Sequence, residues 1–432
     1  MNLLAVVGDY YPFPSSNTNC FDPLLHALEA NKWSIDIVTV RKSVDLPKYE
    51  KEANGREIWR IEDPRSMNTI LYNRLNEIPA PKVLKLLNRL FAFISKGIFY
   101  LYYCIGKHDK IFSGWLQNDT VNKCVQLHQE KKYDVVLSIS HPVTCHEIAK
   151  KFLRKLNANN RPKWILYEFD PYCYNEHIYG KGCYKKLSSH QHELFDACDA
   201  IYLIPELYEF YKETPFNRYM NKMIPIGFPN MKPVSINHQN VKPISIDKNK
   251  VSCVYGGALG AKIRNPQYAL NTFVRCTSNI NFIIMTGYPI EVLLQKINDP
   301  NKIITVHGLQ NRDTSYDTML RADILVSIGN AVSFQTPGKI FEYMSMGKPI
   351  IHFQKIDQDP CLKYLQDYPM VLIIDEREID VEEHARRIDE FAEKYRGKNL
   401  TFEEVAKCIP QYTSRNVTAS FVASINKLVN EV

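Results

Sequence analysis

The stretch Ser333-Phe-Gln-Thr-Pro-Gly-Lys-Ile-Phe-Glu-Tyr-Met-Ser-Met-Gly-Lys-Pro-Ile-Ile351 decides the reading of this chain. It is a loop, a short amphipathic helix and the opening of a buried strand, and it follows an apolar run at 323–328. Thr336 has the side chain to cap the helix, and Pro337 suits its first turn. Gly338 leaves backbone N–H groups open to a ligand. Lys339 then lies beside a positive helix terminus, with Glu342 one turn further on. A cation for phosphate and a carboxylate for a diol such as a ribose are thus spaced along one helix. Gly347 ends the helix, and Lys348-Pro349 leads into the strand. The same residues also suit an ordinary helix–strand unit with a surface lysine.

Working outward, apolar β-rich runs recur at 3–7, 35–40, 135–138, 164–167 and 200–204. They recur again at 251–254, 282–285, 303–306, 324–327, 350–353 and 371–374. Near-continuous apolar strands separated by helical patterns predict parallel sheets covered on both faces. Two such series predict two doubly wound domains, and 432 residues exceed what a single core serves. A polar stretch at 229–250, rich in Pro, Lys and Asn, punctuates them. The net charge of +7 fits anionic ligands or a membrane surface. It contains no basic run of the kind nucleic acid demands, so no nucleic acid partner is expected. Eleven cysteines in no CxxC or Cys/His pattern predict reduced thiols and no metal site. The N-terminus enters a strand without a secretion signal, and a cytoplasmic location is expected.

The segment from Pro337 to Ile350 resembles the nucleotide-sugar-binding signature of GT-B glycosyltransferases of the group 1, family 4-like class. That resemblance implies two Rossmann-like domains facing a central cleft. It suggests an acceptor-binding domain at 1–220, a donor-binding domain at 221–411, and a terminal helix at 412–432 crossing back to the first. It further implies that Glu342 holds the ribose hydroxyls and that Lys339 faces the donor. Retaining members carry a second glutamate eight positions before Glu342; here that position is Phe334, which leaves the anomeric outcome open.

Ligands of open α/β sheets bind beyond the carboxyl ends of the strands, so the loops there are the ones to read. After 251–254 come Gly256 and Gly257, whose backbone permits close approach, and then Lys262 and Arg264 as cations for a diphosphate. Either of the two suits stabilisation of a departing nucleotide, and a glycine turn with solvated basic residues is the simpler alternative. Gly287 shapes the wall after the next strand. His307-Gly308-Leu309 resembles the family segment that contacts the base. With Thr336, Gly338, Lys339 and Glu342, these residues form the expected donor site. An NAD fingerprint is absent.

In the first half, Ser15 and Ser16 stand where the family often has a Gly-Gly pair; they offer hydrogen bonds to an acceptor or cap the following helix. His141 ends a strand, where it could act as a base or bond a sugar hydroxyl, or be a satisfied structural histidine. Glu168 and Asp170 end another strand, and alternation places them on opposite faces, as acceptor-binding groups or turn caps. His146 reads as structural. The aromatic, basic segment 84–107 suggests helices lying on a membrane interface, at the inner face of the cytoplasmic membrane, or packed on the first sheet.

These features point to a metal-independent, hexosyltransferase-like enzyme. It would use a UDP-linked sugar and a saccharide or lipid-linked acceptor in capsule or lipopolysaccharide assembly, and need no cofactor. A non-catalytic GT-B subunit and a nucleotide-sugar epimerase are the alternatives.

Overall fold

The computed structural model describes residues 1–43, 45–62, 86, 114–276 and 279–430. The chain divides into two compact units, Met1–Ile226 with Thr418–Val432, and Gly227–Val417.

The first unit is built on eight strands: β1 (Asn2–Val6), β2 (Ser34–Arg41), β3 (Tyr49–Lys51), β4 (Glu57–Glu62), β5 (Val135–Ile139), β6 (Lys163–Glu168), β7 (Ala200–Leu203) and β8 (Met223–Pro225). They lie in the order β3-β4-β2-β1-β5-β6-β7-β8, with only β3 antiparallel to its neighbour. The central strand β5 is buried from end to end, as a strand covered on both faces must be. The second unit carries β9 (Val251–Gly256), β10 (Ile280–Met285), β11 (Ile304–His307), β12 (Ile324–Ile328), β13 (Ile350–Gln354) and β14 (Val371–Asp375). Their order is β11-β10-β9-β12-β13-β14, and every pairing is parallel. Its core joins Phe273 and Phe282, stacked with ring centroids 4.1 Å apart, to Val326, Ile351, Phe353 and Ile388.

Every strand expected from an apolar run is present, and two doubly wound sheets result. The hairpin β3–β4 and the three-residue β8 had no counterpart in the sequence reading. Charged residues interrupt β3 and β4, and two arginines are buried here, Arg60 within β4 and Arg56 just before it. Arg56 is 1% exposed and pairs with Asp22 at 2.6 Å and Glu29 at 2.7 Å. Arg60 pairs with Glu50 at 2.7 Å. Buried cations persist only with such partners, and their charge hides the strand from a hydrophobicity pattern.

The strand orders locate the places where ligands bind. In the first unit, β1 has β2 on one side and β5 on the other; in the second, β9 has β10 on one side and β12 on the other. Strand order therefore reverses direction at β1 and at β9, the kind of switch point beside which open α/β sheets bind ligands, at the carboxyl ends of the strands.

Gly347 follows the motif helix at φ +66°, where an added Cβ would lie 1.9 Å from the Leu400 carbonyl oxygen. That close approach is secured by the Leu400 N–H, which donates to the Gly347 carbonyl at 2.8 Å. Gly347→Ala is therefore expected to destabilise the protein by about 2 kcal/mol or more, through left-handed backbone strain and the clash. A urea denaturation midpoint equal to wild type would refute this.

The last helix, Ser414–Asn430, places Asn426 where it accepts from Trp33 Nε1 at 3.3 Å, and Ser424 beside the Tyr202 hydroxyl at 2.9 Å. The segment 84–107 lies outside the described residues apart from Leu86. No described helix is long and apolar enough to cross a membrane. Ten cysteines are described, all free, and all but Cys408 are buried.

Candidate functional site

In the second unit the motif forms the helix Lys339–Ser345, preceded by Gly338 as an αR N-cap with no side-chain cap. The expectation that Thr336 caps this helix is corrected. Pro337 and Gly338 carry the chain two residues past Thr336 before the helix begins, too far for its hydroxyl to reach the first free N–H groups. Thr336 is instead 4% exposed, with its Oγ1 buried and without a hydrogen-bond partner. A buried hydroxyl left unpaired is costly, so it remains available to a polar ligand.

Four residues of the motif do separable work. Lys339 Nζ pairs with Glu342 Oε2 at 2.6 Å, both partly exposed. Tyr343, in contrast, is buried and faces the sheet. Its hydroxyl accepts from the Gly256 N–H at 3.1 Å and lies 3.3 Å from the Gly256 carbonyl oxygen. The helix is thereby pinned to the end of β9. Phe341 packs against Tyr364 with ring centroids 4.7 Å apart.

The loop after β9 turns back on itself as a tight hairpin in which Gly260 and Arg264 exchange backbone hydrogen bonds at 3.0 and 3.1 Å. Arg264 donates to Asn330 Oδ1 from Nε at 3.0 Å and from Nη2 at 2.8 Å, and to the Ala258 carbonyl at 3.1 Å. Asn330 is fully buried and donates to the Gln335 carbonyl at 2.8 Å. The Ala331 N–H reaches the Ile263 carbonyl at 2.8 Å. The loops after β9 and β12 are therefore one cross-linked body, with Arg264 built into it. Lys262 is exposed on the hairpin. The two cations, equivalent in the sequence, differ by this anchoring.

Gly287 and the His307–Leu309 segment follow β10 and β11, whose register pairs Met285 with His307. Gly257 N–H bonds the Met285 carbonyl at 3.1 Å, joining this row to the β9 loop. Leu309 is 82% exposed. All the expected donor residues therefore line the carboxyl edge of one sheet.

In the first unit the loops after β1 and β5 touch directly. A Cβ on Gly8 would lie 2.1 Å from Pro142 Cδ, so only glycine fits. Asn17 Nδ2 donates to the Ser140 carbonyl at 2.8 Å. Ser15 caps the helix Ser16–Ala30 in a reciprocal box with Thr18, while Ser16 is exposed on its first turn. His141 Nδ1 lies 3.2 Å from the Tyr179 hydroxyl, and its buried Nε2 has no partner. His146 is fully buried against Ser138 at 2.8 Å, and burial lowers its pKa to about 3, which keeps it neutral. It is a core residue.

Glu168 is 1% exposed and points into the first unit. Its Oε2 accepts from the Tyr211 hydroxyl at 2.8 Å, and Gln191 Nε2 lies 3.3 Å from Oε1. Burial raises its pKa to about 8, with the Tyr211 hydrogen bond opposing and the Asp170 charge adding. Asp170 is partly exposed in the turn beyond β6.

Two residues grouped with Lys339 carry no motif. Tyr316, on the helix Arg312–Arg321, is buried beneath the Lys339 ammonium, 5.0 Å from its ring centroid. The Arg312 guanidinium lies 4.4 Å from the same centroid. Nothing in the spacing of Arg312 and Tyr316 distinguishes them from an ordinary helical pair one turn apart.

Among the described residues, His352, Asp359 and Cys361 alone cluster with metal-ligand chemistry. Their atoms serve one another. His352 Nε2 lies 3.1 Å from Asp359 Oδ2, His352 Nδ1 lies 3.0 Å from Ser327 Oγ, and the Cys361 N–H donates to Asp359 Oδ1 at 2.9 Å.

No protein-family model matches the chain, and no curated protein sequence matches it. Solved structures do. HepE from Anabaena, in complex with UDP and glucose, superposes with a TM-score of 0.59 at 11% identity, over 99% of this chain and 100% of that one. Sucrose-phosphate synthase from Thermosynechococcus elongatus gives 0.57 at 12%, over 100% and 95%. The lipopolysaccharide outer core galactosyltransferase WaaB gives 0.56 at 12%, over 99% of each. Identities this low establish architecture and not activity. The two parallel sheets, their strand orders and these full-length superpositions together show that the chain has the GT-B fold of glycosyltransferases.

Proposed function

We propose that this protein is a glycosyltransferase that moves a hexose from a nucleotide-sugar donor to a saccharide or lipid-linked acceptor in surface polysaccharide assembly. The observation that carries the reading is the Lys339–Glu342 pair at 2.6 Å, in the connection after β12 that Arg264 ties to the β9 loop through Asn330. Such a set suits a nucleoside diphosphate: Lys339 and Arg264 for the phosphates, Glu342 for the ribose. Thr336 Oγ1 and the Gly338 backbone offer further polar contacts, and Gly256 and Gly257 allow a ligand to come close to the chain. Gly287 and 307–309 border the base. UDP is the favoured nucleotide, and HepE, which binds UDP and glucose, supports that choice.

In the reaction, an acceptor hydroxyl oxygen bonds to the anomeric carbon as the bond from that carbon to the diphosphate oxygen breaks. Lys339 and Arg264 stabilise the charge on the departing diphosphate, so no divalent metal is required. The acceptor's proton must leave, and His141 Nε2, buried and unpartnered, is the basic group assigned to take it. Ser15, Ser16 and Asp170 border the acceptor, with Glu168 supporting them from inside the first unit. A cytoplasmic protein working at the inner face of the membrane through 84–107 fits a lipid-linked acceptor.

A thermal-shift panel with UDP, GDP, CMP and NAD, with and without EDTA, tests the donor site. A nucleotide at a hundred times its dissociation constant stabilises by about 2.7 kcal/mol. One diphosphate nucleotide is expected to raise the melting temperature, equally in EDTA. Silence from all four would overturn the donor reading. Nucleotide release from the donor in the presence of acceptor then separates the enzyme from a non-catalytic subunit, an alternative raised by Phe334.

A further inference from the structure

A guanidinium that meets a diphosphate has to present its N–H groups along fixed directions, and a long side chain with no holder spreads them over many rotamers. Arg264 has a holder. A guanidinium only donates, so the oxygen of the Asn330 amide is the atom turned toward it. Oδ1 accepts from Nε at 3.0 Å and from Nη2 at 2.8 Å. The same amide donates from Nδ2 to the Gln335 carbonyl at 2.8 Å, so both of its ends are fixed. Nη1 donates to the Ala258 carbonyl at 3.1 Å, which the Tyr255 hydroxyl also holds at 2.8 Å. These bonds leave Nη1 and Nη2 with one N–H each for a ligand. Asn330 is fully buried, and the backbone that carries it is clamped as well. The Gly329 N–H donates to the Phe353 carbonyl at 2.8 Å, and a Cβ on Gly329 would lie 2.1 Å from Asp359 Oδ2. That oxygen is in turn 3.1 Å from His352 Nε2, so the buried His352–Asp359 pair lies against the turn that carries Asn330.

We propose that Asn330 is a positioning residue, which fixes the Arg264 guanidinium in the direction that its two remaining N–H groups need to bind the donor's diphosphate. This rests on the donor-site reading above. An amide suits the task because it is neutral: it orients the guanidinium and leaves the positive charge to the phosphates. A carboxylate in its place would hold the same N–H groups and cancel that charge. In this role Asn330 acts on the donor only through Arg264, so its contribution exists only where Arg264 is present.

The test is a set of dissociation constants by calorimetry for UDP, GDP and ADP on wild type, Arg264→Ala, Asn330→Ala, the double variant and Asn330→Asp. Arg264→Ala is expected to weaken the preferred diphosphate by about tenfold or more, the size of a lost hydrogen bond to a charged group. Asn330→Ala should weaken it by about fivefold when Arg264 is present and by less than about twofold when Arg264 is absent, the coupling of two residues that act as a unit. Asn330→Asp should cost at least as much as Asn330→Ala. Equal losses from Asn330→Ala with and without Arg264 overturn the inference, because they mark a merely structural asparagine. So does wild-type affinity in either Asn330 variant. Should Asn330→Ala fail to fold, Asn330→Asp decides alone: weakened binding by a protein that still melts cooperatively supports the inference, and unchanged binding overturns it. Binding that survives Arg264→Ala undiminished overturns the inference and leaves the rest of the donor site standing. Failure of wild type to bind any of the nucleotides overturns the donor reading itself, and the inference with it.

Discussion

Lys339→Ala is expected to lower kcat by about two to three orders of magnitude, the cost of removing one preorganised charge from a developing anion. Lys339 is partly exposed, and its partner Glu342 keeps part of its side chain in solvent, so the fold survives the change. An exposed pair of this kind contributes at most about 1 kcal/mol to stability. The kinetic loss and the stability loss are therefore far apart and easily distinguished. Glu342→Ala should act differently. It removes a contact to a part of the donor that does not react, so the donor KM rises by about tenfold or more while kcat falls less. Initial rates of nucleotide release, with melting curves for both variants, check the two together. Near-normal rates in both variants would remove these residues from the active site whatever the fold.

The second large effect concerns pH and stability. Glu168 is buried with a pKa raised to about 8, against an ordinary 4.5. Between those values the folded protein holds a proton that the unfolded chain has released. Stability therefore falls as pH rises across that window, and levels off above about pH 8. The span is on the order of a few kcal/mol. Glu168→Gln keeps the shape and an acceptor for the Tyr211 hydroxyl but cannot ionise. It should raise stability at pH 8 and flatten the dependence between pH 5 and 8, while changing little near pH 4. Denaturant melts of both proteins at several pH values decide the matter, and parallel curves would show that Glu168 ionises normally.

Much of this molecule was legible in its sequence because its strands are covered on both faces. A strand such as Ile324–Ile328 or Ile350–Gln354 has to be apolar throughout, so the run itself marks the strand. The motif was legible for a related reason: Gly347 permits the positive φ that ends the helix, and Lys339 and Glu342 occupy one helical turn. What failed was the reading of residues whose surroundings come from elsewhere in the chain. Thr336 looked like a cap because a threonine before a proline and a glycine usually is one, yet the turn delays the helix by two residues. β4 escaped notice because the buried Arg56 just before it and Arg60 within it find their carboxylates on a helix and a neighbouring strand.

By itself, then, the sequence determined the two parallel α/β units and the position of the motif helix, since both are written in local periodicity and in glycine placement. Only the tertiary structure distinguished Arg264, anchored to Asn330 some 66 positions away, from the exposed Lys262. It alone turned Glu168 inward onto Gln191 and Tyr211, and brought the Tyr316 ring beneath Lys339. Those outcomes depend on which loops meet at the carboxyl edge of each sheet. Strand order sets that, and strand order follows from how distant hydrophobic segments pack together, which no local pattern records.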